Sequence, residues 1–153
     1  MKLFAIKKEK LKNKKIVTYT VFGYSFSITK KKKYHNNKQN DIYNYEYLME
    51  QGTKFPHPIG IVISRAATIG KNCRIYQHVT IGAKSCEEGN YDPKNYPIIG
   101  DNVTIYAGAV IAGPVKIGNN AIIGANAVVI DDVPENCVVG GIPACIIKKT
   151  ASA

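Results

Sequence analysis

The sequence contains no tryptophan and only four cysteines among its 153 residues. The cysteines form no Cys-x-x-Cys pair and no spacing typical of a disulfide framework, so we expect reduced thiols in a cytosolic protein. Long apolar runs are also missing, because Lys116 separates the uncharged segments 102–115 and 117–130. Neither segment reaches the roughly 18 apolar residues of a membrane-spanning helix. The apolar stretch that follows Met1 is too short for the apolar region of a secretory signal.

Acidic residues are scarce in residues 1–54, where 13 lysines accompany four acids. Residues 55–153 carry eight basic and seven acidic side chains, so the body is close to neutral. This asymmetry argues against a basic nucleic-acid-binding face, and we expect no nucleic-acid partner. We interpret residues 1–40 as a separate basic arm, a hairpin of two short strands around Gly23. Its alternatives are a solvated hairpin and a contact with an anionic membrane, to which each lysine would contribute about 1 kcal/mol.

A six-residue period dominates the body of the sequence. An aliphatic residue returns at every sixth position in two runs, which are Ile63, Ile69, Ile75 and Ile81, then Ile99, Ile105, Ile111, Ile117, Ile123 and Val129. A helix requires a period of about 3.6 and an amphipathic strand a period of 2, so neither explains the spacing. Three units form a triangular coil whose aliphatic side chains stack inward on those of the next coil. The period therefore predicts an all-β fold, a parallel β-helix over residues 41–149, with a tail at 150–153.

One coil of the period is occupied by polar residues. Ile81 and Ile99 are 18 residues apart, but Glu87 and Pro93 occupy the two intervening repeat positions and cannot stack inside. Residues 84–97 are therefore predicted to protrude from one corner. A long polar loop on a regular scaffold is typically either functional or disordered.

A shift of phase marks a second irregular segment. An upstream set of repeat positions runs two residues out of phase with Ile63 and comprises Tyr43, Met49, Phe55 and Ile61. The shift falls at Pro56-His57-Pro58, where proline fixes the backbone on both sides of the histidine. We therefore expect a pre-oriented His57 imidazole, which suits a general base near neutral pH.

The three histidines, His35, His57 and His78, are separated by 22 and 21 residues. None forms the close pair typical of zinc sites, so we expect no metal cofactor. His78 lies at a turn of the repeat beside Gln77. An exposed turn residue and a contact with an acceptor substrate are the two interpretations of His78.

Three blocks of the sequence resemble the serine acetyltransferase branch of the hexapeptide-repeat acyltransferases, over roughly residues 41–149. The blocks are Pro56-His57-Pro58-Ile59-Gly60-Ile61-Val62-Ile63, Gln77-His78-Val79-Thr80-Ile81-Gly82 and Gly140-Gly141-Ile142-Pro143-Ala144. The resemblance implies a left-handed coil, a homotrimer, acetyl-CoA as the acyl donor and sites between neighbouring subunits. By position it places His57 on the catalytic base, with Asp41, one residue out of register, as an orienting carboxylate.

The resemblance also implies a coenzyme groove lined by turns of small residues. The matching residues here are Gly82, Ala83, Ala107, Gly108 and Ala125. The resemblance implies that a terminal segment closes over the adenine, here Gly141, Ile142 and Pro143. It also implies that a lysine, here Lys148, contacts a phosphate. Plain turn chemistry is the alternative explanation for the small residues.

The acceptor positions depart from that branch. Its members carry an acidic residue before the base and an Arg-His pair at the end of the loop, where this chain has Pro56 and Asn95-Tyr96. Each lost charged contact with serine costs about 1.5–3 kcal/mol. We therefore predict transfer to a hydroxyl of a surface-polysaccharide sugar, bound by His78, Tyr91, Asn95 and Tyr96. A lipid-linked glycan would suit a basic arm at the inner face of the membrane. Serine O-acetylation and a non-catalytic β-helix scaffold are the alternatives.

Overall fold

The structure is a computed structural model that describes residues 4–11, 14–21, 24–31, 41–84 and 92–150, with side chains from residue 42 onward. The chain divides into two compact units, Met1–His35 and Asn36–Ala153. This division lies close to the boundary predicted between residues 40 and 41.

The first unit is a three-stranded antiparallel sheet in the order β1-β2-β3. Its strands are β1 (Phe4–Leu11), β2 (Lys14–Val21) and β3 (Tyr24–Lys31). The predicted hairpin corresponds to β2 and β3, so the expectation of two strands was incomplete. Strand β1 escaped prediction because the run from Lys7 to Lys10 places charges on both faces and hides the two-residue alternation. The side chains of this unit lie outside the described residues, so membrane contact by the arm stays a prediction.

The second unit is a parallel β-helix built from very short strands, which confirms the fold predicted from the six-residue period. The strands are β4 (Asp41–Ile42), β5 (Val62–Ile63), β6 (Thr68–Ile69), β7 (Arg74–Ile75), β8 (Thr80–Gly82), β9 (Ile98–Ile99), β10 (Thr104–Ile105), β11 (Val110–Ala112), β12 (Lys116–Ile117), β13 (Ile122–Ile123), β14 (Val128–Val129), β15 (Cys137–Gly141) and β16 (Ala144–Lys149). They form three sheets in the orders β14-β11-β8-β5-β4, β16-β15-β13-β10-β7 and β12-β9-β6. Strands pair in parallel from coil to coil, as in Ile105 with Ile123, and β16 alone returns antiparallel to β15.

The interior of the prism is filled by the aliphatic repeat positions. Each of the ten predicted inward residues, Ile63 to Val129, is at most 8% exposed. Most residues two positions earlier are also buried, namely Ile61, Cys73, Val79, Val103, Ala109, Val115, Ala121 and Ala127, whereas Ala67 is partly buried. The core is thus one continuous column, and stacking of neighbouring coils supplies most of its burial.

The upstream set of repeat positions does not continue the coil at its first two residues, Tyr43 and Met49. Helix α1 (Tyr45–Glu50) replaces a strand there, and Tyr43 and Met49 are 46% and 47% exposed. Leu48 points from this helix into the core. The open end of a solenoid has no further coil to cover its apolar interior, so a different element has to cap it.

The predicted phase shift is present in the strand register. Lys54 bridges to Arg74, twenty positions further on, whereas Val62 pairs with Thr80, eighteen positions further on. The segment between Lys54 and Val62 therefore holds two more residues than a regular unit. Those extra residues surround His57.

The C-terminal end of the protruding loop and residue Thr150 form more hydrogen bonds than predicted. Residues 85–91 lie outside the described residues, but Pro93–Asn95 form one turn of 3-10 helix, and the N–H of Lys94 donates to the Asp92 carboxylate at 3.0 Å. Thr68 N–H donates to the carbonyl of Pro97, so the coil resumes there. At the other end, Thr150 N–H donates to the Asn136 carbonyl at 2.7 Å, which extends the packed body by one residue.

Three corners join the sheets of the prism, and each is named here by its contents. The His57 corner comprises 56–61, 76–79, 106–109 and 124–127. Among the described residues, the loop corner comprises 64–67, 82–84, 92–97, 112–115 and 130–133. The asparagine corner comprises 70–73, 100–103, 118–121 and 134–136, and its four left-handed asparagines are Asn72, Asn102, Asn120 and Asn136.

No helix in the described parts of the chain is of a length and apolarity that would let it cross a membrane.

Candidate active site

His57 lies on an irregular corner of the first coil, and its side chain is exposed. The N–H of Ile59 donates to the His57 carbonyl at 2.8 Å, which closes a three-residue turn around Pro58. The two flanking prolines restrict the backbone, as the sequence predicted. The imidazole is exposed and available to a substrate, and the backbone that carries it is restrained.

The ring of His57 begins a row of three neighbouring rings, called the ring stack here, in which His57 is tilted against Tyr76 and Tyr76 stacks on Tyr106. Its centroid lies 6.2 Å from that of Tyr76, and Tyr76 lies 5.2 Å from Tyr106 at an interplanar angle of 25°. This ring stack follows the coil axis, because successive coils are about 4.8 Å apart. The Tyr106 end is 42% exposed. Sequence analysis missed both tyrosines, although each directly follows an inward isoleucine at equivalent repeat positions.

His78 lies at the same corner as His57, on the next coil. Its backbone has φ 57°, and its N–H donates to the carbonyl of Ile59 at 2.9 Å. The His78 ring packs against Gly60, where a Cβ atom would overlap its Nδ1. His78 therefore supports the segment that carries His57, and its predicted contact with an acceptor stays a prediction.

Gln77, between Tyr76 and His78, has a buried side-chain oxygen with no hydrogen-bond partner among the described residues. Its backbone carbonyl accepts from Gly108 N–H at 3.0 Å, which fixes the turn. A buried acceptor without a donor is costly, so a ligand or a neighbouring chain that supplies an N–H or O–H would be stabilised here.

The residues predicted to line the coenzyme groove fall on two different corners. Ala107, Gly108 and Ala125 lie on the His57 corner, whereas Gly82 and Ala83 begin the loop corner. The two corners border the sheet that contains β8 and β11, on opposite sides. A Cβ atom at Gly82 would meet no atom of the described residues within 4 Å. One chain does not bring the two sets together.

The predicted nucleotide end lies one coil beyond Ala125. Gly124 N–H donates to the Val139 carbonyl, which joins that corner to strand β15. Gly141, Ile142 and Pro143 form the turn between β15 and β16, with a cis bond before Pro143. Ile142 is 74% exposed and Lys148 is exposed on β16. These residues are accessible, and their role toward a nucleotide stays a prediction.

The residues predicted to bind the acceptor differ in their exposure. Asn95 is exposed in the 3-10 turn, but Tyr96 is only 4% exposed and packs inward. Little of the Tyr96 ring is therefore exposed in one chain, because the residue that ends the loop also closes the coil, and its predicted contact with an acceptor stays a prediction. Tyr91 lies outside the described residues. Only the backbone of Asp41 is described, and it pairs with Val62.

No cluster of three or more histidine, cysteine or acidic side chains suited to a metal occurs in the described ranges. The candidate site is thus the His57 corner, with its ring stack and the turn from Tyr76 to His78.

Comparison with known proteins finds similarity to the family that the sequence motifs resemble. Residues 96–131 match the family described as bacterial transferase hexapeptide (six repeats). The serine acetyltransferase of Staphylococcus aureus strain N315 is 48% identical over 93 residues, which cover 61% of this chain and 42% of that protein. The chain therefore spans less than half the length of this relative.

Two solved structures show the same coil. The serine acetyltransferase of Neisseria gonorrhoeae superposes with a TM-score of 0.61 at 38% identity, over 67% of this chain and 38% of that one. A serine acetyltransferase in complex with CoA gives a TM-score of 0.55 at 36% identity, over 62% and 37% of the two chains. The similarity to hexapeptide-repeat acyltransferases and the left-handed β-helix that it implied are confirmed.

Proposed function

We propose that this protein transfers an acetyl group from acetyl-CoA to a hydroxyl group, with His57 as the general base. The carrying observation is the exposed imidazole on its proline-restrained turn, at a corner that also holds Ala107 and Ala125. The similarity to serine acetyltransferases, one of them in complex with CoA, supports this chemistry. His57 accepts the acceptor proton as the hydroxyl oxygen attacks the thioester carbonyl. When the carbon–sulfur bond breaks, the imidazolium returns the proton to the departing thiolate.

We further propose that the complete site requires a second copy of the chain, in a homotrimer. The small residues of the predicted donor groove lie on two corners that one chain holds apart. A groove lined by the His57 corner of one chain and by Gly82 and Ala83 of a neighbour would use both sets. The sheet between these corners presents valines outward, and Val62 is 41% exposed.

L-Serine is the acceptor that the comparisons favour over a sugar. The relatives that this chain matches at 36–48% identity are serine acetyltransferases. The sugar prediction rested on the absence of charged residues at Pro56 and Asn95-Tyr96, and Tyr96, one of the proposed sugar contacts, is buried. Serine is therefore the first acceptor to test.

A sugar hydroxyl remains the second candidate, because the His57 corner contains no lysine, arginine, aspartate or glutamate. Pro56 precedes the base and Tyr106 offers an exposed aromatic face at that corner, while Asn95 is exposed on the loop corner. Aromatic rings and amides suit neutral polyols, whereas serine presents an ammonium and a carboxylate that require charged partners.

A thiol-release assay with acetyl-CoA tests both proposals. L-Serine and a panel of hexose and amino-sugar glycosides are offered in parallel to the full chain. We expect turnover with one acceptor class and a loss of about 10²–10⁴-fold in His57→Ala, while acetyl-CoA still binds in calorimetry. His35→Ala is the matched control and should keep its rate. Wild-type turnover by His57→Ala would exclude the base assignment.

A further inference from the structure

The His57 ring lies against a tyrosine that is itself held in place. Tyr76 meets it at an interplanar angle of 48°, and Tyr106 stacks on the other side of Tyr76. Both tyrosines are anchored at strand ends, where Tyr76 N–H donates to Ile105 at 3.0 Å and Tyr106 N–H to Ile123 at 2.9 Å. The stack therefore extends from the core strands out to the imidazole.

The prolines beside His57 restrain only its backbone. The torsion between Cβ and the imidazole is broad for histidine, so an exposed ring samples several orientations. A general base has to keep one nitrogen aimed at the acceptor hydroxyl, and small misplacements lower the rate strongly. A neighbouring ring that is packed from behind removes part of that freedom.

We propose that Tyr76, supported by Tyr106, is a positioning residue that orients the His57 imidazole for catalysis. The proposal rests on the proposed function, because it assigns a purpose to the orientation of the base. It requires the Tyr76 ring and does not require the Tyr76 hydroxyl. Tyr106 acts only through Tyr76, so its removal should have the smaller effect.

The alternative is that half-buried Tyr76 and exposed Tyr106 form a surface on which an acceptor or the acyl donor lies. The two roles predict different kinetics. Loss of a positioning residue lowers kcat and leaves the KM of both substrates nearly unchanged, whereas loss of a binding surface raises KM.

The test combines kinetics with the NMR spectrum of the imidazoles. Tyr76→Leu removes the ring, Tyr76→Phe keeps it, and Tyr106→Leu removes the support. Tyr47→Leu is the matched control, because Tyr47 is 55% exposed on α1 and lies outside the site. Each full-length variant is assayed with the acceptor that the unaltered protein uses, and its melting temperature reports folding.

We expect kcat to fall about threefold to tenfold in Tyr76→Leu, the range of a lost aromatic pair. Tyr76→Phe and Tyr47→Leu should keep wild-type kcat, and Tyr106→Leu should lie between. The ring proton signal of His57, assigned from its absence in His57→Ala, should shift in Tyr76→Leu because the ring current of the tyrosine is lost. If Tyr76→Leu does not fold, Tyr106→Leu tests the positioning role through its smaller loss of kcat, because this variant alters only an exposed ring.

A wild-type kcat in all tyrosine variants, an unmoved His57 signal, or a change in KM alone would overturn the positioning role. An equal loss in Tyr76→Phe and Tyr76→Leu would assign the effect to the hydroxyl and overturn it as well. If His57→Ala also keeps its turnover, the proposed function fails with it. If His57→Ala is inactive while Tyr76→Leu is unaffected, only the positioning role fails.

Discussion

Gly60 and His78 lie on consecutive coils, and the His78 ring occupies the space in which a side chain at Gly60 would stand. The carbonyl of Ile59, one residue earlier, accepts the backbone N–H of His78. This contact joins the irregular segment that carries His57 to the first regular coil above it. The orientation of the candidate base therefore depends on a glycine that takes no part in the chemistry.

Substitution of Gly60 should disturb both stability and activity. Gly60 has φ 63°, so Gly60→Ala incurs about 1–2 kcal/mol of left-handed strain in addition to the overlap with His78. In a His78→Ala background the overlap disappears and only the strain should remain. Urea unfolding of the two single variants and the double variant measures this coupling. Strict additivity of the single effects would contradict the contact.

The asparagine corner provides a test of the coil itself. Asn102 Nδ2 donates to Asn120 Oδ1 at 3.2 Å, and Asn120 Nδ2 donates to Asn136 Oδ1 at 3.0 Å. Asn120 also has φ 58°. We expect Asn120→Gly to lower the free energy of unfolding by about 1 kcal/mol through lost hydrogen bonds. Asn120→Ala should lose about a further 1 kcal/mol because alanine is strained there. Equal stabilities of the two variants in urea unfolding would show that left-handed strain is unimportant at this corner.

Cys73 should make stability fall at alkaline pH. Burial raises the pKa of its thiol from 9.0 to about 11, the nearby Asp101 charge adds to this, and a hydrogen bond from the Val103 backbone opposes it. The pKa of the Cys73 thiol is higher in the folded state than in the unfolded state. Its contribution to the free energy of unfolding is therefore complete below pH 9 and is lost as pH rises toward 11. Roughly 1–2 kcal/mol should be gone by pH 10. The measurement is urea unfolding of the unaltered chain and of Cys73→Ala at pH 8 and pH 10.

Cys73→Ala is a suitable reference because alanine occupies the equivalent inward position in other coils, as at Ala109 and Ala121. Other groups that titrate in this range are common to both proteins and cancel in the difference. An identical loss of stability in the two proteins would exclude a contribution from the thiol.

The proposed trimer can be tested on the valine-bearing sheet. Val110 faces outward between Thr80 and Val128, on the sheet that separates the two halves of the predicted donor groove. We expect Val110→Arg to yield a monomer in light scattering and to lose activity, because a charge would be buried between subunits. Thr68→Arg, on the exposed face of another sheet, is the matched control. A monomeric unaltered protein would contradict the trimer directly.

Much of the candidate site could be predicted from local sequence. The strict return of isoleucine every sixth residue predicted the coil, because only a short strand with a tight turn repeats at that interval. The two-residue shift at Pro56-His57-Pro58 marked the irregular corner, and the register of Lys54 and Val62 shows it. Both signals depend on neighbouring residues, which the sequence displays directly.

Tertiary structure decided which side chains meet. Tyr76 and Tyr106 are 30 positions apart, and the stacking of coils across the protruding loop brings their rings together and places Tyr76 beside His57. The same stacking buries Tyr96, whereas the loop sequence alone had suggested that this residue contacts a substrate. Helix α1 replaced an expected strand because the end of the prism must be covered, a requirement that no local pattern records. The period of the sequence determined the coil, whereas contacts between coils determined the surroundings of the base.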